Sequence, residues 1–138
     1  MVIAPFFVLP GLGRVRNYPE LNTRGVEDLA RFARTSTAKN AVFLLGDAGT
    51  GPVPSIFRAL SLRAVYVDWK AGGQMNYSES IAEEWWRRWR EVDGLQFDPA
   101  KIGRLRELGI DYLVLGRAHR LKDRAPVYEN DEFLVYFE

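Results

Sequence analysis

The chain has 138 residues, 47% of them hydrophobic and 27% charged, which describes one ordinary globular domain and excludes a disordered, collagen-like or coiled-coil architecture. Nineteen Lys and Arg against 18 Asp and Glu leave a formal net charge of +1, too little for a global field that would attract nucleic acid. With no cysteine and one histidine, disulfides, a thiolate nucleophile, cysteine-based metal or iron–sulfur sites and a multi-histidine metal site are excluded as well.

Residues 2–12 read VIAPFFVLPGL, an apolar run broken by Pro5 and Pro10. It is too short to span a bilayer, which takes about 20 residues. Two readings stay open: a buried N-terminal arm, or the end of a transmembrane helix. Residues 1–19 are therefore set apart as an arm and linker, and residues 20–138 as a single α/β domain. Asn22 or Thr23 is placed to cap a helix over about 25–34, where Val26, Leu29, Ala30 and Ala33 recur at helical spacing. AVFLL at 41–45 reads as a buried strand, and GDAGTGPVP at 46–54 as a loop. SIFRAL then suggests a short helix, RAVYVDW at 63–69 a second strand, and KAGGQMNY at 70–77 a loop.

Ser80 with Glu83 makes a capping-box pattern, with Ser78 as the rival cap, for a helix reaching about Val92. Its apolar face carries Ile81, Trp85, Trp89 and Val92. Asp98-Pro99 opens another helix with an Ile102, Leu105, Leu108 stripe, stopped at Gly109. DYLVLG at 111–116 reads as a third strand, and PVYEN and EFLVYF around Asn130-Asp131 as a terminal β-hairpin. Strands separated by helices imply parallel pairing. The expected fold is α/β: a three-layer Rossmann-like sandwich with a mostly parallel five-stranded mixed sheet that ends in the antiparallel hairpin.

Three constellations bear on chemistry. Gly46, Gly49 and Gly51 have the spacing G-x-x-G-x-G, which is neither the dinucleotide fingerprint nor a P-loop, and Pro52 and Pro54 remove donors a phosphate would need. This stretch reads as a connection. Asp68 and Lys70 follow the second strand and Asp47 the first, with Arg58 and Arg63 near in sequence. Strand ends of open α/β sheets are where ligands bind, so these five are the candidate ligand-binding residues: the cations as anion contacts, Asp68 as a hydroxyl acceptor. The alternative is that they cap loops and pair with one another. In Trp85-Trp86-Arg87-Arg88-Trp89-Arg90, Trp85 and Trp89 share one helix face and are expected to be buried. Trp86 with Arg87 and Arg90 makes a candidate interaction surface. His119, between arginines, reads as a solvated loop residue. No nucleophile–base pair or metal-ligand cluster emerges, so catalytic residues, metal and cofactors are all expected to be none.

Several phrases carry a family resemblance. They are Thr37-Ala38-Lys39-Asn40-Ala41-Val42-Phe43-Leu44; Phe57-Arg58 with Arg63 and Val65-Tyr66-Val67-Asp68-Trp69-Lys70; and Glu84-Trp85-Trp86-Arg87-Arg88-Trp89. The closing ones are Asp111-Tyr112-Leu113-Val114, Val127-Tyr128-Glu129-Asn130 and Phe133-Leu134-Val135-Tyr136. In this order they resemble the soluble C-terminal domain of bacterial polytopic membrane proteins related to the GT-C, dolichyl-phosphate-mannose mannosyltransferase-like glycosyltransferases. Ala38 and Asn40 depart from the family phrase, where proline and an acidic residue stand. The resemblance implies a non-catalytic accessory domain on the extracytoplasmic face, continuous with a membrane-embedded parent chain or lying on the membrane surface. It implies a glycan or lipid-linked sugar as ligand, with the catalytic acids outside this domain. It also favours the transmembrane reading of residues 2–12. The competing expectations are a free-standing Rossmann-like protein that binds a small molecule or nucleotide, cytoplasmic if the chain is a complete protein, and a protein-interaction module.

Overall fold

The computed structural model describes residues 22–92 and 98–137, with residues 74–77 and Pro99 described by their backbone alone. The N-terminal arm at 1–19 lies outside the described residues. Among those described, no helix is long and apolar enough to cross a membrane.

Helix α1 (Arg24–Ser36) begins at Thr23, whose Oγ1 accepts from the Val26 N–H at 3.3 Å. Strand β1 (Val42–Leu45) follows, then helix α2 (Val53–Ser61) with Pro52 and Pro54 at its start. Leu62 ends α2 in the left-handed region (φ 56°), where its N–H reaches the Arg58 carbonyl at 3.1 Å. A β-carbon there costs about 1 kcal/mol. Strand β2 is only Ala64–Val65, although the Tyr66 N–H still donates to the Phe43 carbonyl at 2.8 Å. The second strand is therefore much shorter than its β-branched run suggests: beyond Tyr66 the chain turns to bury Asp68 instead of continuing the ladder.

Residues Lys70–Tyr77 form a 3-10 helix rather than an open loop, and helix α3 (Glu79–Glu91) carries the tryptophans. The helix opened by Asp98 is a second 3-10 turn (Pro99–Arg104), not α-helical. Asp98 caps it by accepting from the Ala100 N–H at 3.0 Å, and Gly103 near its end weakens propagation. The stripe survives: Leu105 is buried, Ile102 and Leu108 pack beside it, and Gly109 stops the segment at φ 75°. Strand β3 (Tyr112–Gly116), a 3-10 turn (Arg117–His119), strand β4 (Tyr128–Glu129) and strand β5 (Phe133–Phe137) complete the order.

The result is an α/β fold around a mixed sheet of order β2-β1-β3-β5-β4. β2, β1 and β3 are parallel; β3, β5 and β4 are antiparallel, and β4–β5 is the terminal hairpin. β2 and β3 flank β1, so strand order reverses there.

Side chains alternate along a strand, and the core divides accordingly. Phe43, Leu45, Val114 and Val135 join Leu29, Ala30 and Ala33 of α1 and Phe57 of α2. Leu44, Leu113, Leu115, Leu134 and Tyr136 join Trp85, Val92 and Leu105. Each fully buried large side chain contributes roughly 1.5–3 kcal/mol. The hairpin turn also grips the start of α1. Glu132 accepts from Thr23 Oγ1 at 2.8 Å and from the Gly25 N–H at 3.2 Å, a favourable place for a carboxylate. Asn130 Nδ2 donates to the Gly25 carbonyl at 2.8 Å.

Candidate functional site

After β2 the chain buries Asp68, which is 1% exposed. A buried carboxylate must be compensated, and three groups do so. Ser55 Oγ and the Ala71 N–H donate to its Oδ1 at 3.0 and 2.8 Å. Arg58 Nη1 lies 2.8 Å from its Oδ2 as an ion pair, not an aligned hydrogen bond. The Asp68 carbonyl accepts from Trp85 Nε1 at 2.9 Å. Ser55 and Arg58 are three residues apart on α2, which places both on one face. Arg58 keeps 45% of its side chain in solvent, so this pair reaches from core to surface.

Trp85 is the centre of four indoles. Trp89 stacks on it at 5.4 Å between centroids, Trp86 at 6.0 Å, and Trp69 meets it edge-on at 5.9 Å. Trp69 also tilts onto Trp89 at 5.3 Å. Trp85 is buried and Trp89 partly so, while Trp69 and Trp86 are 44% and 50% exposed. The Arg90 guanidinium sits 5.8 Å from the Trp86 ring centre, a cation–π contact. Gly72 makes the packing feasible, because a Cβ there would stand 2.7 Å from Trp85 Cζ2. Trp69, Lys70 and Gly72 share a hollow of about 290 Å³ with Trp85. On the other flank of Trp85, Arg58, Asp68, Glu84 and Arg88 line a groove of about 370 Å³ along β2.

Helix α3 supplies a charge lattice to that groove. Glu84 accepts from Arg87 Nη2 at 2.7 Å and from Arg88 Nε at 2.6 Å, which lowers its pKa from the usual carboxylate value. Glu91 accepts from the Tyr66 hydroxyl at 2.5 Å and from Arg87 Nη1 at 2.6 Å, and it too is held low, by the Tyr66 hydroxyl first. Tyr66 is pushed up to about 12, chiefly by burial and then by Glu91. Arg88 donates to the Tyr66 carbonyl at 3.2 Å and lies over its ring at 5.2 Å. Arg87 is thus engaged along its own helix, whereas Trp86 and Arg90 remain at the surface.

The five candidate ligand residues fall in four places. Asp68 and Arg58 meet directly, and Lys70 lies beyond Trp85 from them. Arg63 is buried and donates to the carbonyls of Arg34 (2.7 Å) and Thr37 (3.0 Å), which satisfies the C-terminal end of α1. Its guanidinium is engaged there, apart from the groove. Asp47 lies after β1, where its Oδ2 accepts from the Gly116 N–H at 2.8 Å and from His119 Nδ1 at 2.7 Å. In the glycine stretch, the Gly46 N–H bonds the Val114 carbonyl at 2.9 Å and the Gly51 N–H the Ala48 carbonyl at 3.0 Å.

Sequence reasoning passed over two features. The Glu84, Arg87, Arg88, Glu91 lattice was visible as i,i+3 and i,i+4 spacing. The Asp47–His119 contact spans 72 positions and had no local signal. Among the described residues, no three His, Cys, Asp or Glu gather to hold a metal.

The family model described as Domain of unknown function (DUF6798) matches residues 24–92. That span includes Asp47, Arg58, Arg63, Asp68, Lys70 and the tryptophan helix, and it stops before β3. No curated protein and no solved structure matches the chain.

Proposed function

We propose, from the premise that the chain belongs to the family described as Domain of unknown function (DUF6798), that it is a non-catalytic accessory domain of a membrane glycosyltransferase-like protein. In this reading the sheet is a three-layer, Rossmann-like sandwich and residues 2–12 end a transmembrane helix. The domain faces the extracytoplasmic side and holds a glycan or lipid-linked sugar for its parent chain.

The observation that supports it is the pairing of half-exposed indoles with charged groups around Trp85. Trp69 offers an aromatic face to the C–H surface of a pyranose ring. Lys70 on one flank, and Arg58 with Asp68 on the other, offer donors and acceptors to hydroxyls. Trp86 with Arg90 extends the same surface toward a headgroup or partner. The second reading, a small-molecule-binding protein, draws on Asp47 at the strand ends, where its Oδ2 accepts from the Gly116 N–H.

Titrating the protein with short oligosaccharides while following tryptophan fluorescence and backbone amide shifts tests this. Saturable shifts confined to Trp69, Lys70 and Trp86, lost in Trp69→Ala, are expected. No change at about 10 mM sugar, where even weak sites of a few mM fill, overturns it. The upstream DNA gives an independent check: several apolar segments of about 20 residues before Val2 are expected.

A further inference from the structure

We propose that the crevice between the C-terminal ends of β1 and β3 binds a phosphate ester, with Asp47 and His119 as its positioning pair and the loop at 117–124 as its cationic wall.

Topology comes first. The chain leaves β1 for β2 on one side and returns to β3 on the other. Connections that diverge from neighbouring parallel strands leave an opening at their C-terminal ends, and ligands of open α/β sheets bind there. This opening is furnished from both sides. Asp47 follows β1, while Gly116 and His119 end and follow β3, and one oxygen of Asp47 accepts from both. An ionised carboxylate only accepts, so His119 Nδ1 carries the proton in this contact. The imidazole is thereby fixed with Nε2 on the ring edge away from Asp47. These two donors hold the carboxylate in place, and the four cations of residues 117–124 outweigh its single charge.

Charge comes second. Residues 117–124 read RAHRLKDR, four permanent cations and one carboxylate in a chain whose whole net charge is +1. His119, Arg120, Lys122 and Arg124, with Asp123 as the single acid and Ile102 and Leu121 as apolar lining, surround a cavity of about 500 Å³ that adjoins the strand-end crevice at His119. The hairpin braces this wall: Arg120 pairs with Glu129, and Arg117 donates to the Asn130 carbonyl at 2.7 Å. Among the described residues the Lys122 ammonium enters no ion pair. Guanidinium forks match phosphate geometry, and a lysine beside them acts as a point charge. The cavity is large enough for an ester group beyond the phosphate itself.

The test uses the whole 138-residue chain. Glycerol phosphate, sodium sulfate and vesicles of phosphatidylcholine with or without phosphatidic acid are titrated against amide and imidazole resonances. Saturable shifts at Gly116, His119, Lys122 and Arg124 with glycerol phosphate, weaker with sulfate, are expected. Lys122→Gln with Arg124→Gln weakens binding about tenfold or more while distant resonances stay in place. His119→Gln weakens it as well, and Trp69→Ala leaves it unchanged, so this site and the tryptophan surface fail separately. Shifts with phosphatidic acid vesicles alone support the phosphate chemistry and assign it to a lipid headgroup; shifts with glycerol phosphate assign it to a free ester. Equal response to sulfate, unchanged binding in the folded double variant, or no saturable shift with either phosphate probe overturns the proposal.

Discussion

Asp47 and Asp68 are the same residue type at equivalent places, each just past the end of a parallel strand, yet the chain treats them differently. Asp68, after the edge strand β2, is closed in by nearby sequence: Ser55, Arg58, Ala71 and the indole of Trp85. Asp47, after the inner strand β1, is 17% exposed and reaches across to β3, binding Gly116 and a His119 that is 52% exposed. The edge strand has no neighbour on its outer side, so its end is sealed by its own helices. The inner strand has neighbours on both sides, and its end becomes a junction. Burial with local partners makes a carboxylate structural; partial exposure with distant partners makes it available to a ligand.

The contrast predicts unequal costs for one substitution. Asp68→Asn removes the charge facing Arg58 and sets an amide NH2, itself a donor, against that guanidinium, while Oδ1 keeps Ser55 and Ala71. It should lower unfolding free energy by about 3 kcal/mol, an upper figure because Arg58 is half solvated; urea denaturation reads it. Gly72→Ala sharpens the same side, since its Cβ runs into the Trp85 ring, and about 2 kcal/mol should be lost. Asp47→Asn should cost only about 1 kcal/mol or less, because its partner His119 is half exposed to water and an amide oxygen can still accept from the Gly116 N–H. An Asp47→Asn loss equal to that of Asp68→Asn would break the comparison.

The smallest effect lies at high pH. Folded Tyr66 titrates at about 12 against an ordinary 10.0. Between those values the unfolded hydroxyl ionises and the folded one does not. The contribution is complete below about pH 10 and falls away as pH rises toward 12. Urea midpoints of the wild type should therefore drop more steeply across this window than those of Tyr66→Phe.

What was legible followed from local physics. Thr23 as cap, Trp85 as core, Trp86 as surface, Gly109 as stop and the terminal hairpin all rest on spacings of a few residues. The second strand was overread because β-branched composition does not register that Asp68 must find Ser55 and Arg58. Arg63 looked like a ligand contact because no local pattern tells that an arginine will close a helix 26 positions earlier. His119 is exposed as its loop position suggests, but its contact with Asp47 had no local signal, because that partner lies across the sheet. Contacts over long separations are set by topology, which periodicity alone does not carry.

The grip of the hairpin turn on α1 has a consequence for synthesis. Residues 130 and 132 complete the hydrogen bonds of residues 23 and 25, and the sheet's inner strands β3 and β5 both come from the last third of the chain. On the ribosome, α1 emerges before the hairpin that completes the hydrogen bonds of its opening turn. A chain interrupted after residue 92 would leave β1 with one short neighbour and three of the five strands unmade.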